Sequence, residues 1–347
     1  MKGIFYGIVI WILLVSAKTN ANEANIFSNE VTDTSLFKVD KWFSAWELVS
    51  KKIYHINSMQ PVDFLFFDEQ YVYATSPVSI PVGEVVDGPK IFNQVLPWKK
   101  AKHQGTVTLP DKQIVPIGLM SFASPLDSLG QTAFFVMPLP DFWKNAGVTS
   151  TELGLDNLVT GVFLHEFSHT QQMMNFGRRM TEYENKYSFK TGFSDDIVQD
   201  HFEADTQYNL QFRREVKLLY DAAEVKEKSK QKKLISQALG MLRNRQDIYF
   251  TRELEILKEI DDFFLSMEGI GQYSMYAWLI HPEGGAISKK LALPGVRRGG
   301  RSWSQEEGLA LFLVLANLSE PAEWAAPMFG KETSSVIEMI AKELQKK

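Results

Sequence analysis

The sequence of 347 residues contains no cysteine. This absence excludes disulfides, thiolate zinc sites, iron–sulfur clusters and cysteine nucleophiles. An excess of basic residues is also lacking, since 37 lysines and arginines stand against 42 aspartates and glutamates. Binding to the phosphates of a nucleic acid needs a basic surface, so we expect no nucleic-acid partner. What remains is the composition of a globular protein, with 45% hydrophobic and 23% charged residues.

No apolar run reaches the ~20 residues that a membrane-spanning helix needs. The apolar residues 3–15 follow Lys2 and precede small residues that end at Ala21. This pattern predicts a secretory signal peptide over residues 1–21, and its apolar part is too short for a membrane anchor. We therefore expect an exported protein, periplasmic or extracellular, with no stable membrane span after cleavage. The sequence indicates no particular oligomeric state.

The rest of the chain divides into two parts that differ in predicted secondary structure. Residues 22–150 form a strand-rich part, and residues 151–347 form a mainly helical part, so the predicted fold class is α+β. The two parts could also form one domain over 22–347. Strands are predicted at 62–67, 71–73, 105–109 and 132–137. Helices are predicted at 38–52, 157–176, 195–225, 229–265, 266–280, 304–318 and 333–346, with interruptions at Gly269 and Gly271.

The segment 157–176 contains His165-Glu166-Phe167-Ser168-His169, an HExxH motif. Helical residues four positions apart lie on the same face, so both imidazoles can face one metal ion. Glu166 lies about 100° around the helix from His165, beside the metal, where it can take a proton from an activated water. Imidazole nitrogen suits zinc. The alternative is that the two histidines and the glutamate make only structural hydrogen bonds.

The segment 163–172 resembles the active-site helix of the zincin metallopeptidases, whose His-Glu-x-x-His pattern it contains in full. The resemblance implies that the two histidines bind Zn²⁺ and that Glu166 is the catalytic general base. The metzincin branch has a glycine and a third histidine at the positions of Gln172 and Asn175. The sequence therefore does not match the metzincin pattern. The segment is therefore similar to the gluzincins, in which a downstream glutamate is the third zinc ligand.

Three glutamates compete for the place of the third ligand. The segment 268–273 (EGIGQY) is similar to the Glu-Gly-x-Ala-x-Tyr pattern of collagenase-like gluzincins, in which the glutamate binds zinc, and implies Glu268. Glu203 lies on the predicted helix that follows the HExxH helix, which is the simpler geometry, and His201 on the same helix is a further candidate ligand. Glu307 begins a second Glu-Gly-x-Ala pattern, although acids at the start of a helix are also favoured by the helix dipole.

The expected function is that of an exported, zinc-dependent metallopeptidase that acts on a peptide or protein substrate. In the zincin-like fold an edge strand beside the active-site helix aligns the substrate, and residues 134–137 are the predicted strand. One alternative is a non-peptide amidase with the same site. Another is a zincin-fold binding protein without turnover, although metal binding alone does not require Glu166.

Overall fold

The computed structural model of the protein describes residues 35–189, 192–331 and 334–346. The predicted signal peptide over 1–21 lies outside the described residues. Within the described ranges, no helix is both long enough and apolar enough to cross a bilayer.

A six-stranded sheet and a two-stranded hairpin occupy the first half of the described chain. The strands of this part are β1 (Val62–Phe67), β2 (Tyr71–Ala74), β3 (Glu84–Val85), β4 (Lys99–Lys102), β5 (Thr106–Thr108), β6 (Ile114–Pro116), β7 (Phe122–Pro125) and β8 (Ala133–Pro138). The hairpin pairs β5 with β6, and the order across the large sheet is β3-β4-β2-β1-β8-β7. Within the large sheet β1 and β8 are parallel, whereas the other neighbouring strands are antiparallel.

Helices dominate the second half. The α-helices of the described residues are α1 (Asp40–Leu48), α2 (Pro140–Asn145), α3 (Leu155–Thr170), α4 (Arg178–Lys186), α5 (Ile197–Phe202), α6 (Thr206–Glu224), α7 (Lys228–Tyr249), α8 (Leu257–Ile280), α9 (Lys289–Val296), α10 (Trp303–Leu318), α11 (Pro321–Met328) and α12 (Val336–Gln345). The predicted α+β class, with a sheet followed by helices, is confirmed. One cluster of buried apolar side chains extends from Leu36 to Ile340, so the sheet and the helices share a core.

The sheet supports α3 through aromatic rings. Side chains alternate along β1, so Phe64 faces the shared core while its neighbour Leu65 faces a smaller core on the other side of the sheet. Phe163 and Phe167 lie four residues apart on the sheet-facing side of α3, and Phe167 stacks on Phe64 at 5.7 Å between ring centroids. Loss of one such ring costs about 3–5 kcal/mol of stability. This packing fixes the helix that carries the HExxH motif.

The prediction of separate helices at 229–265 and 266–280 is wrong. The break lies between α7 and α8, and α8 continues without interruption through Gly269 and Gly271. Each glycine costs a helix about 1 kcal/mol relative to alanine. The cost is offset by close packing, because a Cβ on Gly269 would lie only 2.7 Å from the backbone carbonyl carbon of Gly308 on α10.

Two further predictions differ from the structure. The single helix predicted over 195–225 is divided into α5 and α6, because Asp205 caps a new helix by accepting from the backbone amides of Gln207 and Tyr208. The strand that contains 134–137 is β8, which pairs with β1 on one side and β7 on the other. It is therefore an interior strand, and the edge strand of the sheet at this side is β7.

Candidate metal centre

The histidine pair of the HExxH motif lies on the face of α3 that is turned away from the sheet. The rings of His165 and His169 are 4.9 Å apart between centroids, and their Nε2 atoms are separated by 3.2 Å. Both side chains are buried. Their convergence follows directly from the helical spacing of four residues.

Glu268 of α8 brings a carboxylate to the same point. Its Oε2 lies 3.1 Å from Nε2 of His165, and its Oε1 lies 3.4 Å from Nε2 of His169. In a tetrahedral zinc site with bonds of about 2.0–2.1 Å, neighbouring ligand atoms are about 3.3 Å apart. The three side chains therefore have the mutual spacing of zinc ligands.

The other residues considered from the sequence as third ligand have other surroundings. Glu307 on α10 accepts a hydrogen bond from Nη2 of Arg245 at 3.0 Å, away from the histidines. Glu203 is exposed at the C-terminal end of α5. Nδ1 of His201 contacts a carbonyl of its own helix at 2.9 Å. In the described part of the chain, no ion pair joins any of these three to His165 or His169.

Glu166 stands beside the histidine pair. Its carboxylate and the ligand nitrogens of His165 and His169 lie within 4.8 Å of one another, and all three side chains are buried. Burial raises the pKa of Glu166 well above its ordinary value, although the charge of His169 opposes the shift. Among the described residues, nothing forms a hydrogen bond with Oε2 of Glu166. One oxygen of this carboxylate is thus buried and unpaired among the described residues, a costly state that a bound molecule would relieve.

The charges of the three predicted ligands are coupled. Burial lowers the pKa of His165 to about 4, although the contact with Glu268 opposes the shift. Burial is also the largest single influence on His169 and acts in the same direction, but the charges of Glu268 and Glu166 and the hydrogen bonds to Glu268 and Gln172 together outweigh it and raise that pKa to about 9. Burial is likewise the largest influence on Glu268, but the charges and hydrogen bonds of the two histidines together hold its pKa below the usual range. A metal ion that binds here would displace any proton from the imidazole nitrogens that face it, because metal-bound histidine must be neutral.

The donor set fits a zinc ion. Oε1 of Glu268 is buried and makes no hydrogen bond with the described residues. Leaving a buried charged oxygen unsatisfied costs more than the about 1–3 kcal/mol of a neutral group. A cation bound between this oxygen and the two imidazole nitrogens would remove that cost. Two imidazoles and one carboxylate are also a ligand set of catalytic zinc, with a fourth position open.

Gln172 orients one of the histidines. Nδ1 of His169 lies 2.8 Å from Oε1 of Gln172, just beyond the end of α3. A histidine that donates from Nδ1 keeps the lone pair of Nε2 for a metal. From the sequence alone, Gln172 indicates only that the chain differs from the metzincin pattern. Its position three residues after His169 was nevertheless a local signal for this contact.

Two aspartates before α5 add negative charge near the centre. Burial and then the charge of Glu268 raise the pKa of Asp195 and also that of Asp196, the latter to about 6. The pKa values of Glu166 and Asp195 respond to the charge of His169, and that of Asp196 responds to Glu268, so these acids form a group within electrostatic reach of the centre. Such a group favours a bound cation, whose charge in turn lowers the pKa of its neighbours.

In comparisons with known proteins, the chain matches no family model, no curated protein and no solved structure.

Proposed function

We propose that this protein is an exported zinc-dependent metallopeptidase of zincin-like, gluzincin-like type. One observation carries the proposal. The carboxylate of Glu268 lies within 3.1–3.4 Å of the Nε2 atoms of His165 and His169, while Glu166 stands beside them with a free oxygen. Export rests on the sequence of residues 1–21 alone.

The residues of the chain take distinct parts in the proposed reaction. A bound zinc supplies Lewis acidity, which activates a water and polarises the carbonyl of the substrate. His165, His169 and Glu268 hold the metal, and Gln172 keeps His169 in the tautomer that binds it. Glu166 accepts the proton of the attacking water and delivers it to the leaving amine. A carboxyl group in this role must both gain the proton and return it.

The unpaired carboxylate oxygen of Glu166 favours catalytic turnover over simple metal storage. A protein that only holds zinc does not need a buried acid next to the ligands, and burying one without partners is costly. Glu166 is buried and one of its oxygens lacks a hydrogen-bond partner among the described residues. A peptide substrate, as opposed to another amide, is supported by the resemblance of segments 163–172 and 268–273 to metallopeptidases.

The test begins with the wild-type chain, purified with the metal it acquires in the cell. We expect about one zinc per chain by mass spectrometry. We also expect cleavage of a peptide library that chelation abolishes and added zinc restores. The double variant His165→Ala/His169→Ala should contain no zinc, and stoichiometric zinc in that variant would overturn the metal assignment. Zinc without cleavage of any peptide would favour an amidase or a binding protein.

A further inference from the structure

The carboxylate of Glu268 is held by a residue that is not among the predicted ligands. Nε2 of Gln305 donates a hydrogen bond of 3.1 Å to Oε2 of Glu268. This is the oxygen that also faces His165. Gln305 stands near the start of α10 and is buried. The amide therefore contacts the third predicted ligand directly.

Gln305 is fixed in turn by Arg298. Nε of Arg298 donates to Oε1 of Gln305 at 2.7 Å. A charged donor on the oxygen of an amide polarises it, which strengthens the hydrogen bond that the amide nitrogen donates. The bond also fixes which way the amide points, since its oxygen must face Arg298 and its nitrogen must face Glu268.

The segment that carries Arg298 is clamped to the same helix. Oε2 of Glu306 accepts from the backbone amides of Arg298 at 2.7 Å and Gly299 at 3.2 Å. Its Oε1 accepts from the guanidinium of Arg297 at 2.6 Å and 2.9 Å. Four hydrogen bonds to one carboxylate hold this segment against the start of α10. Arg298 is thus positioned by backbone contacts, and its side chain is directed to Gln305.

The short reach between Gln305 and Glu268 depends on the crossing of α8 and α10. The helices meet at Gly269 and Gly308, where a Cβ on Gly308 would lie 2.6 Å from Cα of Gly269. Gly269 follows Glu268 in the chain, and Gly308 lies three positions after Gln305. Backbone contact at this point brings one side chain from each helix within hydrogen-bond distance.

A glutamate needs such support to serve as a metal ligand. Its terminal torsion is soft, and a carboxylate must be held within about 0.5 Å and 10–20° of the productive geometry to bind a metal well. We propose that Gln305, fixed by Arg298, is a positioning residue that holds the carboxylate of Glu268 for the metal and thereby sets the affinity for zinc. This inference rests on the proposed function.

The test compares zinc affinity among variants of the full-length protein. In Gln305→Leu the amide is lost at nearly constant size, and we expect the dissociation constant for zinc to rise about 10–100-fold, as when a partner of a metal ligand is removed. The visible spectrum of the cobalt-substituted protein should change as well, because it reports ligand geometry. Arg298→Lys keeps the charge but loses the planar guanidinium, and it should weaken zinc binding in the same direction by a smaller factor.

Gln246→Leu is the matched control. Gln246 is a buried amide that donates to Asp261 and Asp262 at 2.9 Å, so its loss also removes buried hydrogen bonds to carboxylates. It should lower stability while leaving the zinc dissociation constant and the cobalt spectrum unchanged. If Gln305→Leu does not fold, Arg298→Lys carries the test.

The possible results distinguish a failure of the positioning role of Gln305 from a failure of the proposed function. Tight zinc binding by the wild type, with the same affinity and cobalt spectrum in Gln305→Leu and Arg298→Lys, would overturn the positioning role alone. A rise in affinity in Arg298→Lys would also overturn it, because the hydrogen bond of the guanidinium to Gln305 would then not help to hold the metal. A wild-type protein with no affinity for zinc would overturn both this inference and the proposed function.

Discussion

The ring of His165 packs against the bare backbone of Gly271 on α8. A Cβ on Gly271 would lie 2.8 Å from Nδ1 and 3.0 Å from Cε1 of that ring. Glycine is therefore what lets α8 approach α3 this closely, despite its cost of about 1 kcal/mol in a helix. Gly271 stands at the alanine position of the Glu-Gly-x-Ala-x-Tyr pattern, and in the structure it borders a predicted ligand.

Gly271→Ala should separate helix stability from metal affinity. Alanine is the better helix former, but its Cβ must push the ring of His165 out of place. We expect the zinc dissociation constant to rise about 10-fold, as for other disturbances of the surroundings of a ligand. The measurement is competition with a chromophoric chelator.

Gly240→Ala is the control for this substitution. Gly240 lies on α7, and a Cβ there would meet no atom within 4 Å. It should raise the free energy of unfolding by up to about 1 kcal/mol with no effect on zinc. Equal zinc affinity in both variants would contradict the role assigned to Gly271.

Glu268→Ala should reduce zinc affinity by several orders of magnitude, because it removes a negatively charged ligand and leaves two imidazoles. Glu203→Ala should leave affinity almost unchanged, because Glu203 is exposed at the end of α5. Both constants can be obtained by titration calorimetry or chelator competition. A larger loss in Glu203→Ala than in Glu268→Ala would show that a different arrangement binds the metal.

Glu166→Gln keeps the size of the side chain but cannot accept a proton from water. Zinc content and the free energy of unfolding should stay near their wild-type values, because Glu166 is not a predicted ligand. Turnover of any substrate found should fall about 10²–10⁴-fold, the range typical of a lost general base. Loss of zinc in this variant would mean that Glu166 is itself a ligand, and full activity would identify another base.

The stability of the protein should depend on pH through Glu215 on α6. Burial raises the pKa of this carboxyl from 4.5 to about 7, although Arg245 opposes the shift. The folded protein therefore keeps a proton that the unfolded chain has lost. The stabilisation is full below about pH 4.5 and is lost as the pH rises through 7, with a slope of at most about 1.4 kcal/mol per pH unit.

Glu215→Gln removes this titration and tests the sign. The free energy of unfolding of the wild type, measured relative to that of the variant by urea denaturation, should fall between pH 4.5 and 7 and then level off. Because the charge of Glu215 also raises the pKa of Glu307, the difference reports the titration of Glu215 together with its effect on Glu307. A difference that is constant across this range, or that rises with pH, would contradict the prediction.

The parts of the site that were predictable from sequence are local. The spacing of His165 and His169 fixes their common face once the helix is known. α3 begins at Leu155, close to the predicted 157, but it ends at Thr170, before the predicted 176, and a turn and a π-helical segment follow. Glu268 was a candidate only through its Glu-Gly pattern, since it lies 103 positions from His165. Its proximity to the histidines is now a finding about the fold, while its role as a ligand stays a prediction.

The remaining contacts depend on tertiary structure. Gln305 reaches Glu268 because α8 and α10 cross in backbone contact, and no pattern in the sequence sets that crossing. The sequence around Arg298 is a run of arginines and glycines that gives no sign of a buried role, but the backbone amides of Arg298 and Gly299 are bound by Glu306. The glycines of α8 predict helix breaks because the sequence alone shows their cost and not the close neighbours that offset it.

The buried guanidinium of Arg245 gives a structural role to the long segment that separates the predicted ligands in the sequence. It contacts Glu215 on α6, Asp261 on α8 and Glu307 on α10, and it stands on α7 itself. Arg245 on α7 therefore supplies the counter-ion for two buried acids, Asp261 on α8 and Glu307 on α10. The same two helices carry Glu268 and Gln305. Cutting the hairpin of α6 and α7 out to shorten the chain would leave those acids without a counter-ion and force α8 and α10 apart. The segment between α3 and α8 thus separates the predicted ligands in sequence, and through Arg245 it also bridges α8 and α10.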